Sequence, residues 1–115
     1  MNANVALSPA ELAQAQLDAY NLQDLDAHCA FFADDVVVSD LNGAVTIRGI
    51  AAYRAKYVQV FADFPGNRAE LKNRICVGAT VIDHEYVDRG TGVTFEVIAI
   101  YTIAGGKIAR VDFAK

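Results

Sequence analysis

The sequence lacks the features of membrane and nucleic-acid-binding proteins. No apolar run approaches the roughly 20 residues that a membrane-spanning helix needs. The stretch Met1–Asn4 has neither the basic nor the apolar region of a secretory signal. Basic residues number 10 against 14 acidic ones, and they are scattered along the chain. We therefore expect a cytoplasmic protein with no nucleic-acid partner and no membrane partner.

Cysteine and histidine are scarce, with two of each. Cys29 lies in a helical pattern and Cys76 in a strand pattern, so both are expected to be small buried side chains without a disulfide. His28 lies where packing side chains are usual and is interpreted as structural or half-exposed. Neither His28 nor His84 has a cysteine or carboxylate at ligand spacing, so we expect no metal site and no cofactor. Serine and cysteine lack a nucleophile's setting, and no phosphate loop is visible.

The chain has enough apolar residues to form the core of one domain over residues 1–115, because 54% of it is hydrophobic. Ser8, Pro9 and Glu11 form a helix-capping signal, which predicts a helix that ends at about Tyr20 or Asn21. Hydrophobic periodicity predicts the other elements. They are a short helix from Asp24 that stops at Asp34-Asp35, a long helix between Gly49 and Pro65, and strands at 36–40, 45–48, 68–77, 80–88, 93–103 and 107–114.

The order of these elements predicts the fold class. Helices come first and a long run of strands comes last, with one small hairpin between them. Such an order is typical of an α+β fold in which the helices lie on one face of a curved antiparallel sheet. In the strand at 68–77 the residues Ala69, Leu71, Asn73, Ile75 and Val77 are expected to share one face.

Four short segments of the sequence resemble segments found in one superfamily. They are Tyr20–Asp26, Phe32–Val36, Arg48-Gly49 and Gly106–Ile108. Together with the order of elements, they are similar to the nuclear transport factor 2-like superfamily, and most to its ketosteroid isomerase and polyketide cyclase (SnoaL-like) branch. The resemblance implies a cystatin-like half-barrel, in which a cone-shaped curved sheet wraps around the N-terminal helices. It also implies a pocket that is open at one end, usually in a dimer.

The same resemblance implies roles for single residues. Asp40 stands where steroid isomerases hold their general base, and Tyr57 where a tyrosine supports the oxyanion hole. Their oxyanion tyrosine corresponds to Gln16 here, and their protonated aspartic acid to the apolar region Ile98-Ala99. These two departures argue against steroid isomerisation itself. The superfamily includes enzymes of several classes and proteins without chemistry, so the fold alone does not assign a function.

Strand alternation adds a third candidate. A period of two places His84 on one face with Ile82 and Tyr86. That face is apolar, so it is assigned to the interior of the cone. The neighbouring acids Asp83 and Glu85 then belong to the solvated face.

The leading hypothesis is a cofactor-independent isomerase or lyase of a small hydrophobic carbonyl compound. Asp40 would take a proton α to the carbonyl, while His84 and Tyr57 would hydrogen-bond the developing enolate. The alternatives are a non-catalytic binder of a hydrophobic metabolite and a dimeric interaction module. The remaining predicted pocket residues are Gln16, Tyr20, Phe32, Tyr53, Phe61, Ile82, Tyr86, Ile98, Ile100, Val111 and Phe113.

The strand at 93–103 is apolar on both faces. One face carries Phe95, Val97 and Tyr101, and the other carries Ile98 and Ile100. Only one face can cover the helices, so the second needs another partner. We therefore predict a homodimer that pairs through the outer face of the sheet.

Overall fold

The structure, a computed structural model, describes residues 7–115. Its elements follow the predicted order. No helix in this part of the chain is long and apolar enough to cross a membrane. The elements are α1 (Pro9–Asn21), α2 (Leu25–Ala30), β1 (Phe32–Asp40), β2 (Val45–Arg48), α3 (Ile50–Asp63), β3 (Arg68–Val77), β4 (Thr80–Asp88), β5 (Thr94–Ala104) and β6 (Lys107–Ala114).

The six strands form one curved, unclosed sheet in the order β2-β1-β6-β5-β4-β3. Four of the five neighbouring pairs are antiparallel, as predicted. The exception is the pair β1 and β6, which run parallel because β6 returns from the meander beside the first strand. This arrangement confirms the α+β fold class and the cystatin-like curved sheet.

Local signals explain where the helices begin. The Ser8 hydroxyl accepts a hydrogen bond from the Glu11 N–H, and the Glu11 carboxylate accepts one from the Ser8 N–H, which completes the predicted capping box of α1. Gly49 precedes α3 with a φ of 86°, a backbone conformation that favours glycine. Its N–H donates to the Val36 carbonyl at 2.7 Å, so β1 holds the start of α3.

The second helix is shorter than predicted. It ends at Ala30, and Phe32 already belongs to β1 instead of the helical face. Strand β1 begins at Phe32, which pairs with Ile108 of β6, and it continues through Asp34-Asp35 to the β-branched run. The acidic pair therefore lies within a strand.

The helices cover the concave face of the sheet. Helix α1 contacts β3 and β4, α3 contacts β1 and β2, and α2 packs against both helices. A buried hydrophobic core fills the space between the layers. Its fully buried members include Leu12, Ala13, Val36, Val81, Ala99, Ile108 and Val111.

Strand β3 departs from the predicted alternation. Its register with β4 shifts between Leu71 and Asn73, which indicates a β-bulge. Beyond the bulge Arg74 forms an ion pair with the buried Asp83, while Ile75 is 60% exposed. The prediction that one face runs unbroken from one end of β3 to the other is therefore wrong.

Both cysteines are free thiols. Cys29 is buried, as predicted. Cys76 is exposed, which contradicts the prediction of a buried side chain. It stands next to the exposed β3–β4 turn at Gly78-Ala79, beyond the cover of the helices.

Candidate active site

A cavity of about 170 Å³ lies between α1, α3 and the concave face of the sheet. Aromatic and aliphatic side chains form much of its wall, and a few polar groups interrupt it. An apolar cavity of roughly 150 Å³ holds one benzene-sized molecule, so this space suits a ligand with about one ring inside. The predicted lining residues found here are Gln16, Tyr20, Tyr53, Val111 and Phe113, together with Asp40 and Tyr57.

Asp40 is the last residue of β1 and pairs with Phe113 of β6. It lines the cavity but is exposed, which places its carboxylate at the mouth. The turn after it is held by two backbone hydrogen bonds, from the Asp40 N–H to the Ala44 carbonyl and from the Gly43 N–H to the Asp40 carbonyl, both 2.9 Å. The hairpin therefore fixes the backbone position from which the Asp40 side chain extends.

Tyr57 faces the same cavity from α3. Its ring packs against that of Tyr53, one helical turn earlier, with 4.6 Å between centroids. Burial raises the pKa of the Tyr57 phenol. The hydroxyl therefore stays protonated near neutral pH and can donate a hydrogen bond to a ligand.

The third predicted catalytic residue, His84, lies outside the cavity. Its Nε2 is 2.7 Å from the Glu96 carboxylate and its Nδ1 is 3.1 Å from the Asn73 amide, both of which are exposed groups. His84 thus stands on the outer face of the sheet. Its predicted convergence with Asp40 and Tyr57 is wrong.

The same error of strand face affects four predicted lining residues. Ile82, Tyr86, Ile98 and Ile100 belong to the outer face, because their neighbours along β4 and β5 are the buried ones. The faces of β4 were assigned by hydrophobicity, and this assignment is wrong because the outer face is more apolar than the face that meets the cavity.

Two further predicted residues lie behind the wall instead of lining it. Phe32 is buried against the Tyr53 ring at 4.5 Å between centroids. Phe61 packs edge-on against Tyr20 at 5.5 Å and against Tyr57 at 6.3 Å. Both support the aromatic side chains that face the cavity.

His28 lies at the inner wall with only 1% of its surface exposed. Its Nδ1 is 2.9 Å from the Gln16 carbonyl oxygen, which can only accept, so Nδ1 carries the proton. Its Nε2 then accepts from the Tyr53 hydroxyl at 2.8 Å. Burial lowers the pKa of His28 to about 4, so the ring is neutral at physiological pH. The prediction of a structural role fits these bonds, but the side chain is not half-exposed.

Two further sets of hydrogen-bonded polar side chains surround the cavity. The Gln16 amide donates to the Tyr101 hydroxyl at 3.0 Å. The Asn67 amide donates to the Tyr20 hydroxyl at 2.6 Å, and Arg89 donates to the Asn67 oxygen at 2.9 Å. Because the Tyr20 oxygen accepts from Asn67, its own O–H remains available to donate towards a ligand.

Glu85 is the second carboxyl group of the cavity. It is 7% exposed, and among residues 7–115 its Oε2 has no hydrogen-bond partner. Burial is the largest cause that raises the pKa of Glu85 to about 7, and the nearby negative charge of Asp83 adds to it. The prediction that Asp83 and Glu85 face solvent is wrong, because both point to the concave side.

Sequence reasoning missed Glu85 and Tyr101 as cavity residues. A signal was present in the hairpin between β4 and β5, where Glu85 pairs with Val97. Paired residues share a face. Val97 belongs to the strongly apolar side of β5, and this register assigns Glu85 to the interior.

The polar groups of the cavity do not form a metal centre. Within the part of the chain that the structure describes, no group of three or more His, Cys, Asp or Glu side chains is placed to hold a metal ion. The arrangement can instead exchange protons through two carboxyl groups and donate hydrogen bonds from phenols.

Comparisons with known proteins agree with the fold. The chain resembles an uncharacterised cystatin-fold protein from Novosphingobium aromaticivorans, with 34% identity over 95% of this chain and 99% of the other and a TM-score of 0.88. It also resembles a SnoaL-like polyketide cyclase from Agrobacterium tumefaciens, with 25% identity over 94% and 91% of the two chains and a TM-score of 0.78. A protein with a ketosteroid isomerase-like fold from Catenulispora acidiphila shares 16% identity over 91% and 85%, with a TM-score of 0.75, and so supports the fold alone.

A comparison with functionally curated proteins gives no match. The model of the SnoaL-like domain matches residues 13–111. That match spans most of α1, the other two helices and nearly the whole sheet, and it confirms the resemblance found in the sequence. The chain therefore belongs to the SnoaL-like domain family of nuclear transport factor 2-like proteins.

Proposed function

We propose that the protein is a cofactor-independent isomerase or lyase of a small hydrophobic carbonyl compound, with Asp40 as its general base. The observation that carries this proposal is the shared cavity of Asp40 and Tyr57, whose walls are largely aromatic and aliphatic. An apolar ligand would be held there with its carbonyl oxygen near phenol donors. Its acidic C–H would face the carboxylate at the mouth.

The first chemical step follows from these groups. Asp40 takes a proton from the carbon α to the carbonyl, and the C–H electron pair moves onto the carbonyl oxygen. The Tyr57 hydroxyl, assisted by the Tyr20 hydroxyl, donates hydrogen bonds to the enolate oxygen. His84 takes no part, because it lies on the outer face.

We expect Asp40→Asn to lower kcat/KM for a one-ring β,γ-unsaturated ketone by at least about a hundredfold, the usual contribution of a positioned general base. The probe is 3-cyclohexenone, and its conversion to the conjugated ketone is followed by ultraviolet absorbance. Asp35→Asn is the matched control, since Asp35 is an exposed residue of the same strand outside the cavity. Equal rates for Asp40→Asn and the wild type would contradict the role of Asp40.

A second candidate function is the binding of a hydrophobic metabolite without chemistry. The exposure of Asp40 at the mouth favours it, because solvent surrounds the carboxylate that would have to act as the base. If the wild type binds cyclohexanone, measured by ligand-observed NMR, but leaves 3-cyclohexenone unchanged, this candidate replaces the enzyme.

We also propose that the protein is a homodimer that pairs through the outer face of its sheet. Ile75 of β3 pairs with Ile82 of β4, which pairs with Ile100 of β5, so three isoleucines form one row across the strands. Ile75 is 60% exposed and Ile98 is 40% exposed. A contiguous apolar patch of this kind marks an interaction surface.

We expect size-exclusion chromatography with light scattering at micromolar concentration to give a dimer for the wild type and a monomer for Ile75→Lys/Ile98→Lys. A buried lysine pair cannot be desolvated cheaply at the centre of an interface. Leu22→Lys is the control, because Leu22 is exposed at the end of α1, away from the sheet. A monomeric wild type would contradict the proposed dimer.

A further inference from the structure

The cavity contains a carboxyl group at each of two opposite walls. Asp40 belongs to β1 and Glu85 to β4, and β6 and β5 separate these strands in the sheet. Three strand spacings of about 4.8 Å separate these two strands by about 14 Å along the curved sheet. Both side chains point to the concave face, so they approach one ligand from different sides.

The surroundings of Glu85 keep its carboxyl group available. It is 7% exposed, lines the cavity, and its Oε2 is buried without a hydrogen-bond partner among the described residues. A buried polar atom of this kind is costly unless a partner satisfies it. A ligand in the cavity can supply that partner.

The charged and titratable groups around Glu85 come from every neighbouring element. Asp83 on its own strand raises its pKa, while Arg74 of β3 and a hydrogen bond from Tyr101 of β5 lower it. Tyr20 of α1 and Tyr57 of α3 are close enough for Glu85 to raise their pKa values. Lys56, Arg89 and Lys115 also line the cavity.

The balance of these effects is set by burial, which raises the pKa of Glu85 to about 7. Near neutral pH the group is therefore present both as an acid and as a carboxylate, which suits proton transfer. The nearby histidine and tyrosines do not compete in this range. His28 titrates at about 4, and the pKa values of Tyr20, Tyr57 and Tyr101 are raised.

We propose that Glu85 is a second catalytic residue, which donates a proton to the substrate at the inner wall of the cavity, opposite Asp40. This inference rests on the proposed function. It deepens that function, because it implies a substrate that loses a proton at one carbon and gains one at another, as a β,γ-unsaturated ketone does.

Once Asp40 holds the α proton, the enolate electrons re-form the C=O bond, and the double bond shifts so that the γ carbon takes the proton of Glu85. The O–H bond of Glu85 breaks and its electron pair stays on the carboxylate. After product release, the exposed Asp40 loses its proton to water, and Glu85 regains one from water that enters the cavity.

The test uses the wild-type protein, Asp40→Asn and Glu85→Gln with 3-cyclohexenone as the probe. Glutamine keeps the shape and hydrogen bonding of Glu85 but cannot transfer a proton. We expect Glu85→Gln to lower kcat at least about tenfold. In the wild type, kcat/KM should decrease as the pH rises past about 7, because only protonated Glu85 donates. That decrease should be absent in Glu85→Gln and should return in Glu85→Asp.

Glu96→Gln is the matched control, since Glu96 is an exposed glutamate on the outer face of the neighbouring strand. It should keep the rate and pH profile of the wild type. Circular dichroism and cyclohexanone binding check that Glu85→Gln retains the fold and the cavity. If Asp40→Asn loses turnover but Glu85→Gln keeps both the rate and the decrease above pH 7, the proposed function stands and the role of Glu85 is overturned. A wild type that does not convert the probe overturns both.

Discussion

We expect Arg74→Met to lower the free energy of unfolding by about 3–5 kcal/mol, measured by urea denaturation at neutral pH. Arg74 forms two parallel bonds to Asp83, from Nε to Oδ1 at 2.7 Å and from Nη2 to Oδ2 at 2.9 Å. The Asp83 side chain is 0% exposed. Removal of the guanidinium leaves this carboxylate buried without its counter-charge, which is the costly way to break a buried pair.

The control is Arg110→Met, which removes the same type of pair from a more solvated place. Arg110 also makes a bidentate contact with an aspartate, Asp112, but its side chain is 44% exposed. An exposed pair contributes little to stability, so a much smaller loss is expected for this variant. The double variant Arg74→Met/Asp83→Leu should recover much of the loss, since no charge then remains buried. Equal effects of the two single substitutions would contradict this account.

The importance of Arg74 could not be predicted from the sequence, because the bulge in β3 reverses the faces of the strand. Before the bulge, Ala69 is buried as the alternation predicts. After it, Arg74 reaches the concave side and Ile75 the outer side. A one-residue change of register moves every later side chain to the other face, and no local residue pattern marks where it occurs.

The order of helices and strands and the family could be predicted because their signals are local. Caps such as Ser8 and Asp24, and the long periodic helix that follows Gly49, depend on neighbours within a few residues. The candidate roles of Asp40 and Tyr57 follow from the resemblance to the steroid isomerases. Both line the cavity.

The choice of face on β4 failed for a different physical reason. The usual rule assigns the more apolar face to the interior, but the concave face of β4 carries the acids Asp83 and Glu85, while its outer face is more apolar. By composition alone, the face that carries Glu85 would be assigned to solvent. The face that carries His84 would be assigned to the interior. Only the pairing of β4 with the apolar side of β5 distinguishes the two.

The buried groups His28 and Glu85 should impose opposite pH dependences on stability. Burial lowers the pKa of His28 from 6.5 to about 4, so between these values only the unfolded state binds its proton. Its contribution is complete above pH 6.5 and is lost as the pH falls to about 4. Burial raises the pKa of Glu85 from 4.5 to about 7, so between these values only the folded state binds its proton. Its contribution is complete below pH 4.5 and is lost as the pH rises to about 7.

Each shift corresponds to about 3 kcal/mol, since one pKa unit is about 1.4 kcal/mol. The two contributions oppose each other between about pH 4.5 and 6.5, so together they leave the stability of the wild type nearly flat there. We therefore expect Glu85→Gln to uncover the His28 dependence, with the free energy of unfolding rising by about 3 kcal/mol from pH 4 to pH 6.5. Relative to the wild type, this variant should gain about 3 kcal/mol between pH 4.5 and pH 7.

Urea denaturation across this pH range measures both quantities, and Glu96→Gln serves as the exposed control that should run parallel to the wild type. The difference between variant and wild type cancels the titration of all carboxylates that the two proteins share, so it reports Glu85 alone. A Glu85→Gln curve that stays parallel to the wild type would mean that the Glu85 carboxyl titrates alike in the folded and unfolded chains. Such a result would remove the protonated acid on which its catalytic role depends, while the stability role of His28 would still be tested by the slope of both curves.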